Sequence, residues 1–385
     1  MRIAVNTRFL LPDKLEGLGW YTHALLRRMV VSHPEDQFFF FFDRPFDPAY
    51  VYAENVTPIV LFPPARHPVL WYAWFEWAVP RALRRCKADV FFSPDCYLSL
   101  ASPVPTVMTV HDLIPLQHPG QVPWWSRDYY RYFIPRYIRR ANRVVAVSEF
   151  TRKAVLDGIT GADPAKITTV YNGCRSIFRP LPEAEKQRVR DAFSGGAAYF
   201  FYSGAIHPRK NIHRLIHAFD AFKKRTGAPV KLLLAGRFAW ETGPVQNAFQ
   251  RATFKQDIHF LGYIGEQDLA RLTAGALALV NVSLSEGFGL PLVEAMYCDT
   301  PVLCSNTSAL PEVAGDAALL VDPLSEQAIS AALEKLFSDE SLRTQLVAQG
   351  RERRNLFDWD QAAEQVYRQL KLARNSSYGF KPQDE

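Results

Sequence analysis

Long apolar runs are missing from this sequence. No stretch approaches the roughly 18 consecutive apolar residues that a membrane-spanning helix needs, so no such span is expected. Cysteine is scarce. Cys86, Cys96, Cys174, Cys298 and Cys304 are five in number and contain no Cys-x-x-Cys pair. That argues against a disulfide framework or a zinc site and for a reducing compartment. The opening Met1-Arg-Ile-Ala-Val-Asn-Thr-Arg lacks the pattern of a signal peptide, because its apolar runs are short and broken by charge. The cytosol is therefore the expected location. No short-period repeat and no low-complexity tract is present. Acidic residues are outnumbered, 39 to 45, which leaves a net charge of +6. Such a balance favours an anionic partner: a nucleotide diphosphate, an acidic membrane surface or nucleic acid.

What is present reads as a globular α/β protein. A chain of 385 residues, 48% hydrophobic and 22% charged, can bury cores in two or three domains. Short apolar runs alternate with longer helical patterns, which argues for βαβ units and parallel sheets. In the first half, strands are expected at 2–6, 38–42, 59–62, 89–93, 106–110, 144–148 and 167–171. In the second half they are expected at 199–203, 231–235, 258–260, 276–280, 302–304 and 319–321. The Pro-rich, charged segment 178–186 reads as a linker. Two doubly wound domains follow, with ligands at the carboxyl ends of strands, in the cleft between domains.

The most informative stretch is Glu286-Gly-Phe-Gly-Leu-Pro-Leu-Val-Glu294, directly after the apolar run 276–280. Pro291 suits the first helical position, where its missing N–H is an orphan anyway. Two glycines therefore sit at a strand-to-helix turn, where their backbone N–H groups, with the helix dipole behind them, make a seat for an anion. Two carboxylates flank that seat and would repel a phosphate unless each faces hydroxyls. A sugar nucleotide carries phosphates in the middle and hydroxyls on either side. The plainer alternative is that Glu294 only stabilises the first helical turn.

This spacing, within Glu-Gly-Phe-Gly-Leu-Pro, resembles the signature of the retaining glycosyltransferases of family four, also called group 1. The resemblance implies the fold class: α/β, GT-B, two Rossmann-like doubly wound domains facing each other across a cleft. The domains are expected at 1–178 for the acceptor and 188–356 for the nucleotide sugar, with a helix at 357–374 crossing back to the first. That helix is expected because Phe357-Asp-Trp359 resembles the family's Phe-x-Trp ahead of it; the tail from 375 is polar and expected to fray. The resemblance places Glu286 on the donor sugar and Glu294 on the ribose hydroxyls.

Other segments extend the resemblance in family order. Phe201-Tyr-Ser-Gly204-Ala-Ile-His-Pro-Arg209-Lys210-Asn211 reads as strand, loop and a helix that Asn211 could cap. Its Arg–Lys pair can stabilise the charge developing on a leaving diphosphate without a metal ion. It resembles the family's Pro-Arg-Lys-Asn variant, in which the lysine, and often an arginine, grips the diphosphate. Ala205 and His207 depart from the residues relatives usually carry there, which makes Lys210 the firmer assignment and Arg209 the weaker. Out of that context a basic pair at a helix start is a solvated surface feature. Glu16-Gly17-Leu-Gly19 resembles the N-terminal glycine loop that lets backbone approach the donor phosphates; by itself a Gly-x-Gly is a turn. Val110-His111-Asp112-Leu-Ile-Pro-Leu resembles a segment of mannosyl- and glucosyl-transferring relatives, whose histidine lies beside the reacting sugar. His111 is otherwise open to a structural reading, and Asp112 to one of orienting the loop. Ser148 reads as a helix cap, Glu312 as structural, and Asp299 as a residue tolerating a left-handed helix terminus.

The expected set is then His111, Glu286, Lys210 and Arg209 for catalysis. Gly17, Gly19, Gly204, Gly287, Phe288, Gly289, Leu290 and Glu294 are expected to bind the donor. No metal and no cofactor beyond the nucleotide sugar are expected. The acceptor side is less legible. Trp71, Trp74 and Trp77 form a stripe at i, i+3 and i+6, open to core packing, sugar stacking or a membrane surface. Between Trp124 and Arg143 lie six arginines, two tryptophans, four tyrosines and one acid. A solvated helix face and a patch for anionic lipid are both open there; no nucleic-acid fold is recognised. The expected activity is metal-independent, retaining transfer of a hexose to a glycan or lipid-linked oligosaccharide of a surface polysaccharide. Mannose from GDP-mannose is favoured over glucose or galactose from a UDP donor. The rivals are a GT-B epimerase or phosphorylase, a catalytically inactive sugar-nucleotide binding module, and a membrane-surface scaffold.

Overall fold

The apolar runs become strands, those in the middle of each sheet buried on both faces. In the computed structural model the first seven are β1 Arg2–Asn6, β2 Gln37–Phe42, β3 Val56–Val60, β4 Val90–Ser93, β5 Thr106–Val110, β6 Arg143–Ala146 and β7 Ile167–Thr169. The next six are β8 Ala198–Ser203, β9 Val230–Ala235, β10 Ile258–Gly262, β11 Ala278–Asn281, β12 Val302–Ser305 and β13 Ala318–Val321. The structure describes every residue except 12–14, 16, 239–241 and 378–385. Glu16 of the glycine loop and most of the polar tail thus lie outside the described residues, while 375–377 end a helix.

Each expected strand is found, and every pairing is parallel. One sheet has the order β3-β2-β1-β4-β5-β6-β7 and the other β10-β9-β8-β11-β12-β13. Strand order therefore reverses between β1 and β4 in one sheet and between β8 and β11 in the other, the places where doubly wound sheets bind ligands. β3 differs most from expectation, beginning three residues early and running through Pro58. It is an edge strand, so the missing N–H of Pro58 costs the sheet no central hydrogen bond.

The chain divides into two compact units, Met1–Asn172 with Asp358–Glu385, and Gly173–Phe357. Segment 178–186 does not read out as a free linker. Phe178 is buried with Ala270, Ala274 and Cys298 in the second unit, and a helix begins at Glu183.

The helix Trp359–Ser377 belongs to the first unit, packing on the helix Gly17–Ser32 and on β4, β5 and β6. Its docking is specific. Trp359 meets Tyr21 edge-on, Tyr367 stacks on His33 at 3.5 Å, and the Tyr367 hydroxyl donates to Asp36 at 2.6 Å. Asp36 also holds the buried N-terminal ammonium.

The tryptophan stripe is only partly core. Trp71 and Trp74 are buried, but Trp77 is 58% exposed. The cause is local: Trp74–Ala78 forms a wide π turn, which rotates Trp77 off the buried face. Among the described residues no helix is long and apolar enough to cross a membrane.

Candidate functional site

In the second unit the site grows from the carboxyl ends of β8 and β11. After β8 the chain must turn sharply against the turn that follows β9. Gly204 (φ +144°) and Gly236 (φ +146°) make this approach possible, since a Cβ on Gly236 would lie 1.9 Å from the Gly204 carbonyl oxygen. The turn carries Arg209 and Lys210. Asn211 does not cap the helix Ile212–Thr226 as expected; it adopts a left-handed conformation with no capping bond. Its buried side chain donates instead to the Val282 and Pro323 carbonyls at 3.1 and 2.7 Å. It thereby ties the start of that helix to the loop after β11. The Leu284 N–H reinforces the tie by donating to the Arg209 carbonyl at 2.7 Å.

Glu286 stands where those loops meet, 8% exposed. One carboxylate oxygen accepts from Arg209 Nη1 at 2.8 Å. The other accepts from Lys210 Nζ and lies 2.8 Å from Ser283 Oγ. Burial alone would raise this carboxyl, but the charges and hydrogen bonds of Lys210 and Arg209 outweigh it and hold the pKa at about 2. Two cations against one carboxylate leave this cluster at +1. Beside it, Gly289 (φ +107°) precedes the helix Leu290–Tyr297, with Leu290 first and Pro291 second. Gly287 and Phe288 are buried, and Phe288 meets Phe357 edge-on at 5.7 Å.

Glu294 is one turn further along that helix, 7% exposed. Arg175 Nη2 donates to it at 2.6 Å, and Arg175 Nη1 donates to Glu266 at 3.2 Å. Burial raises the Glu294 carboxyl and Arg175 opposes the rise. These three charges sum to −1. The two carboxylates of the motif therefore have opposite settings. Glu286 lies in a cationic cluster fit for phosphate, and Glu294 in an anionic one fit to accept from hydroxyls.

In the first unit His111 follows β5. Its Nε2 is 2.9 Å from the Pro94 carbonyl. A carbonyl only accepts, so the proton sits on Nε2. Burial lowers the pKa of this imidazole, which favours the neutral ring and leaves Nδ1 as an acceptor. Tyr21 packs edge-on against the ring at 4.5 Å. Asp112 accepts from the Ile114 N–H at 3.1 Å and so orients the loop. Gly19 is buried, and a Cβ there would meet the Phe9 carbonyl at 2.7 Å, so close packing by itself accounts for this glycine. Gly17 is exposed at the helix start, with nothing within 4 Å of a Cβ.

Sequence reasoning missed Arg175, Ser283 and Gly236. Arg175 lies 119 residues before Glu294, and no spacing rule joins a loop after β7 to a helix that far along. Ser148 does cap its helix, accepting from the Thr151 N–H at 3.0 Å. Asp299 adopts φ +54°. Among the described residues no group of three or more His, Cys, Asp or Glu is placed to hold a metal ion.

Comparison with known proteins identifies the family. Residues 183–353 match the model of glycosyl transferases group 1, and residues 15–175 match that of glycosyltransferase family 4. The chain is 31% identical over 373 residues to O-antigen chain mannosyltransferase B of Escherichia coli, covering 93% of this chain and 96% of that protein. It is 27% identical over 274 residues to an O-antigen chain mannosyltransferase of Salmonella typhimurium, covering 70% and 71%. Among solved structures, sucrose-phosphate synthase from Thermosynechococcus elongatus superposes with a TM-score of 0.77 at 20% identity, covering 97% of this chain and 99% of that one. The two parallel-sheet units are those of the GT-B fold, and the chain belongs to the glycosyl transferases of group 1.

Proposed function

We propose that this glycosyltransferase moves mannose from GDP-mannose, with retention and without a metal ion, to a hydroxyl of a glycan or lipid-linked oligosaccharide in surface polysaccharide synthesis. The observation that carries the reading is Glu286 held between Arg209 and Lys210. In transfer, the bond from the sugar C1 to the diphosphate oxygen breaks and a bond from C1 to the acceptor oxygen forms. The acceptor proton passes to the leaving phosphate on the same face. Negative charge grows on the diphosphate, and Arg209 and Lys210 turn from Glu286 to meet it. Backbone N–H groups from Gly287 to Leu290 add to the anion seat, Gly204 shapes the turn that brings Arg209 and Lys210 to the donor, and Gly17 and Gly19 let backbone approach the phosphates. Phe288 lines the donor site. Glu286, released, accepts from sugar hydroxyls, while Glu294 accepts from the ribose. His111, neutral, offers Nδ1 to a hydroxyl of the donor or acceptor. Mannose is supported by the names of the Escherichia coli and Salmonella relatives.

The test is a screen of GDP-mannose, UDP-glucose, UDP-galactose, UDP-N-acetylglucosamine and GDP-fucose, each with EDTA. Thermal stabilisation and slow nucleotide release with GDP-mannose alone, undiminished by EDTA, are expected. The anomeric coupling of the product, read by NMR, reports retention. Stabilisation by a UDP sugar overturns the donor, loss of turnover in EDTA overturns metal independence, and no binding at all overturns the reading.

The protein acts in the cytoplasm at the inner face of the plasma membrane. Supporting this, Trp77, Tyr72 and Tyr132 are exposed by 58, 40 and 52%. They are linked through ring contacts of Tyr72 with Trp77 and Phe133 and of Phe133 with Tyr132. Exposed Arg127 and Arg131 lie on the same helix as Tyr132. Arg139, Arg140 and Arg143 instead donate to the carbonyls of Thr160, Ser102 and Ala165 and serve the fold. Aromatic rings with arginines suit an anionic interface. Co-sedimentation with anionic liposomes at low salt is expected, weakened by Trp77→Ala with Tyr132→Ala; no binding to such liposomes refutes the placement.

A further inference from the structure

We propose that Arg175 is the positioning residue that aims Glu294 at the ribose of the donor nucleotide. The inference rests on the reading of Glu294 just given. A carboxylate that reads a pair of neighbouring hydroxyls must stay ionised and must not rotate. Glu294 is buried, and burial opposes its ionisation. Arg175 supplies both missing conditions. Its Nη2 holds Glu294 Oε1 at 2.6 Å, leaving Oε2 and the spare lone pairs of Oε1 for other donors. Its Nη1 is fixed on Glu266 at 3.2 Å, at the start of the helix Glu266–Gly275. Its guanidinium also packs over the Phe178 ring at 4.7 Å, and Phe178 is itself buried. The guanidinium is therefore held from two sides while it holds Glu294 from a third. A planar fork can do this and an ammonium cannot.

A purely structural pair would tie the segment after β7 to two helices and affect only stability. A positioning pair also affects how well the site distinguishes ribose from deoxyribose. The test measures donor KM and kcat, and the inhibition constants of GDP and 2′-deoxy-GDP, in wild type, Arg175→Ala, Arg175→Lys and Glu294→Gln. UDP and 2′-deoxy-UDP replace the guanosine pair if the donor screen selects a UDP sugar. Arg175→Ala is expected to raise donor KM about tenfold, as loss of one charge-assisted hydrogen bond to the ligand does. It should leave kcat within about twofold and shrink the preference for the ribonucleotide toward one. Arg175→Lys should fall between, since it keeps the charge and loses the fork, and it carries the test where the alanine variant does not fold. If Glu294→Gln loses ribose preference and the Arg175 variants keep it, the inference is overturned and the ribose role of Glu294 stands. If Glu294→Gln also keeps it, that role has failed and the inference falls with it.

Discussion

Glu286→Gln lowers kcat by roughly 10²–10³-fold while nucleotide diphosphate binds as well as, or better than, in the wild type. Two features of the site produce this split. The carboxylate is the sugar-facing group of the proposed reaction, and a neutral amide of the same shape accepts more weakly. It is also the counter-ion of Arg209 and Lys210, so the wild-type cations must leave it before they grip a diphosphate. In the variant that ionic hold on the two cations is gone, and GDP meets less competition. Stability moves the other way. The folded-state pKa of Glu286 is about 2 against an ordinary 4.5, so its ionisation stabilises the fold fully above about pH 4.5. That stabilisation disappears as pH falls through 2. Its size is on the order of 3 kcal/mol by linkage. The melting difference between wild type and variant should therefore be constant near neutrality and close below pH 4.5. Turnover, GDP-induced thermal shifts and melts from pH 7 to 3 check the three parts. Wild-type turnover in the variant would end the assignment of Glu286.

Most of the fold was legible because central strands of a parallel sheet are short apolar runs, as at β4, β11 and β12, whereas β3, with Thr57 and Pro58, and β7, with Thr168 and Thr169, are marked less clearly. Ala276-Leu-Ala-Leu-Val280 needs no partner to be recognised, since burial on both faces leaves no polar alternation. The double-glutamate motif was legible because its elements are close in sequence and its glycines have local causes, such as φ +107° at Gly289. What escaped was set by tertiary placement. Asn211 looks like a cap by residue type, yet two carbonyls from distant segments, at Val282 and Pro323, take its amide. Arg175 is one basic residue among 45 until folding places it on Glu294. Phe178 sits in a Pro-rich stretch that reads as solvent-exposed, and packing against Ala270 and Cys298 overrides that composition. The wide turn at Trp74–Ala78 has no local signature, so the exposure of Trp77 could not be foreseen from the stripe.

Gly236→Ala is the substitution expected to damage the fold most. The added Cβ would lie 1.9 Å from the Gly204 carbonyl oxygen and 2.6 Å from its carbon, both backbone atoms that no rotamer change can move. The backbone there, at φ +146°, is one that residues with a side chain rarely adopt. Relief requires the turns after β8 and β9 to part. That breaks the bonds from the Gly204 N–H to Ala235 and from the Ile206 N–H to Arg237, each 2.9 Å. Strain plus two lost backbone bonds amounts to about 3–5 kcal/mol, a large share of the stability of an ordinary domain. Gly227→Ala supplies the control. Its φ is +62°, but nothing lies within 4 Å of the added carbon, so it carries conformational strain alone, about 1–2 kcal/mol. The melting temperature of Gly236→Ala should fall below that of Gly227→Ala by roughly 5–10 °C. Donor affinity should fall with it, because the displaced turn is the one that presents Arg209 and Lys210. Equal melting of the two variants would mean that the turns separate at little cost. The close approach of Gly204 and Gly236 would then not be what sets the cations in place.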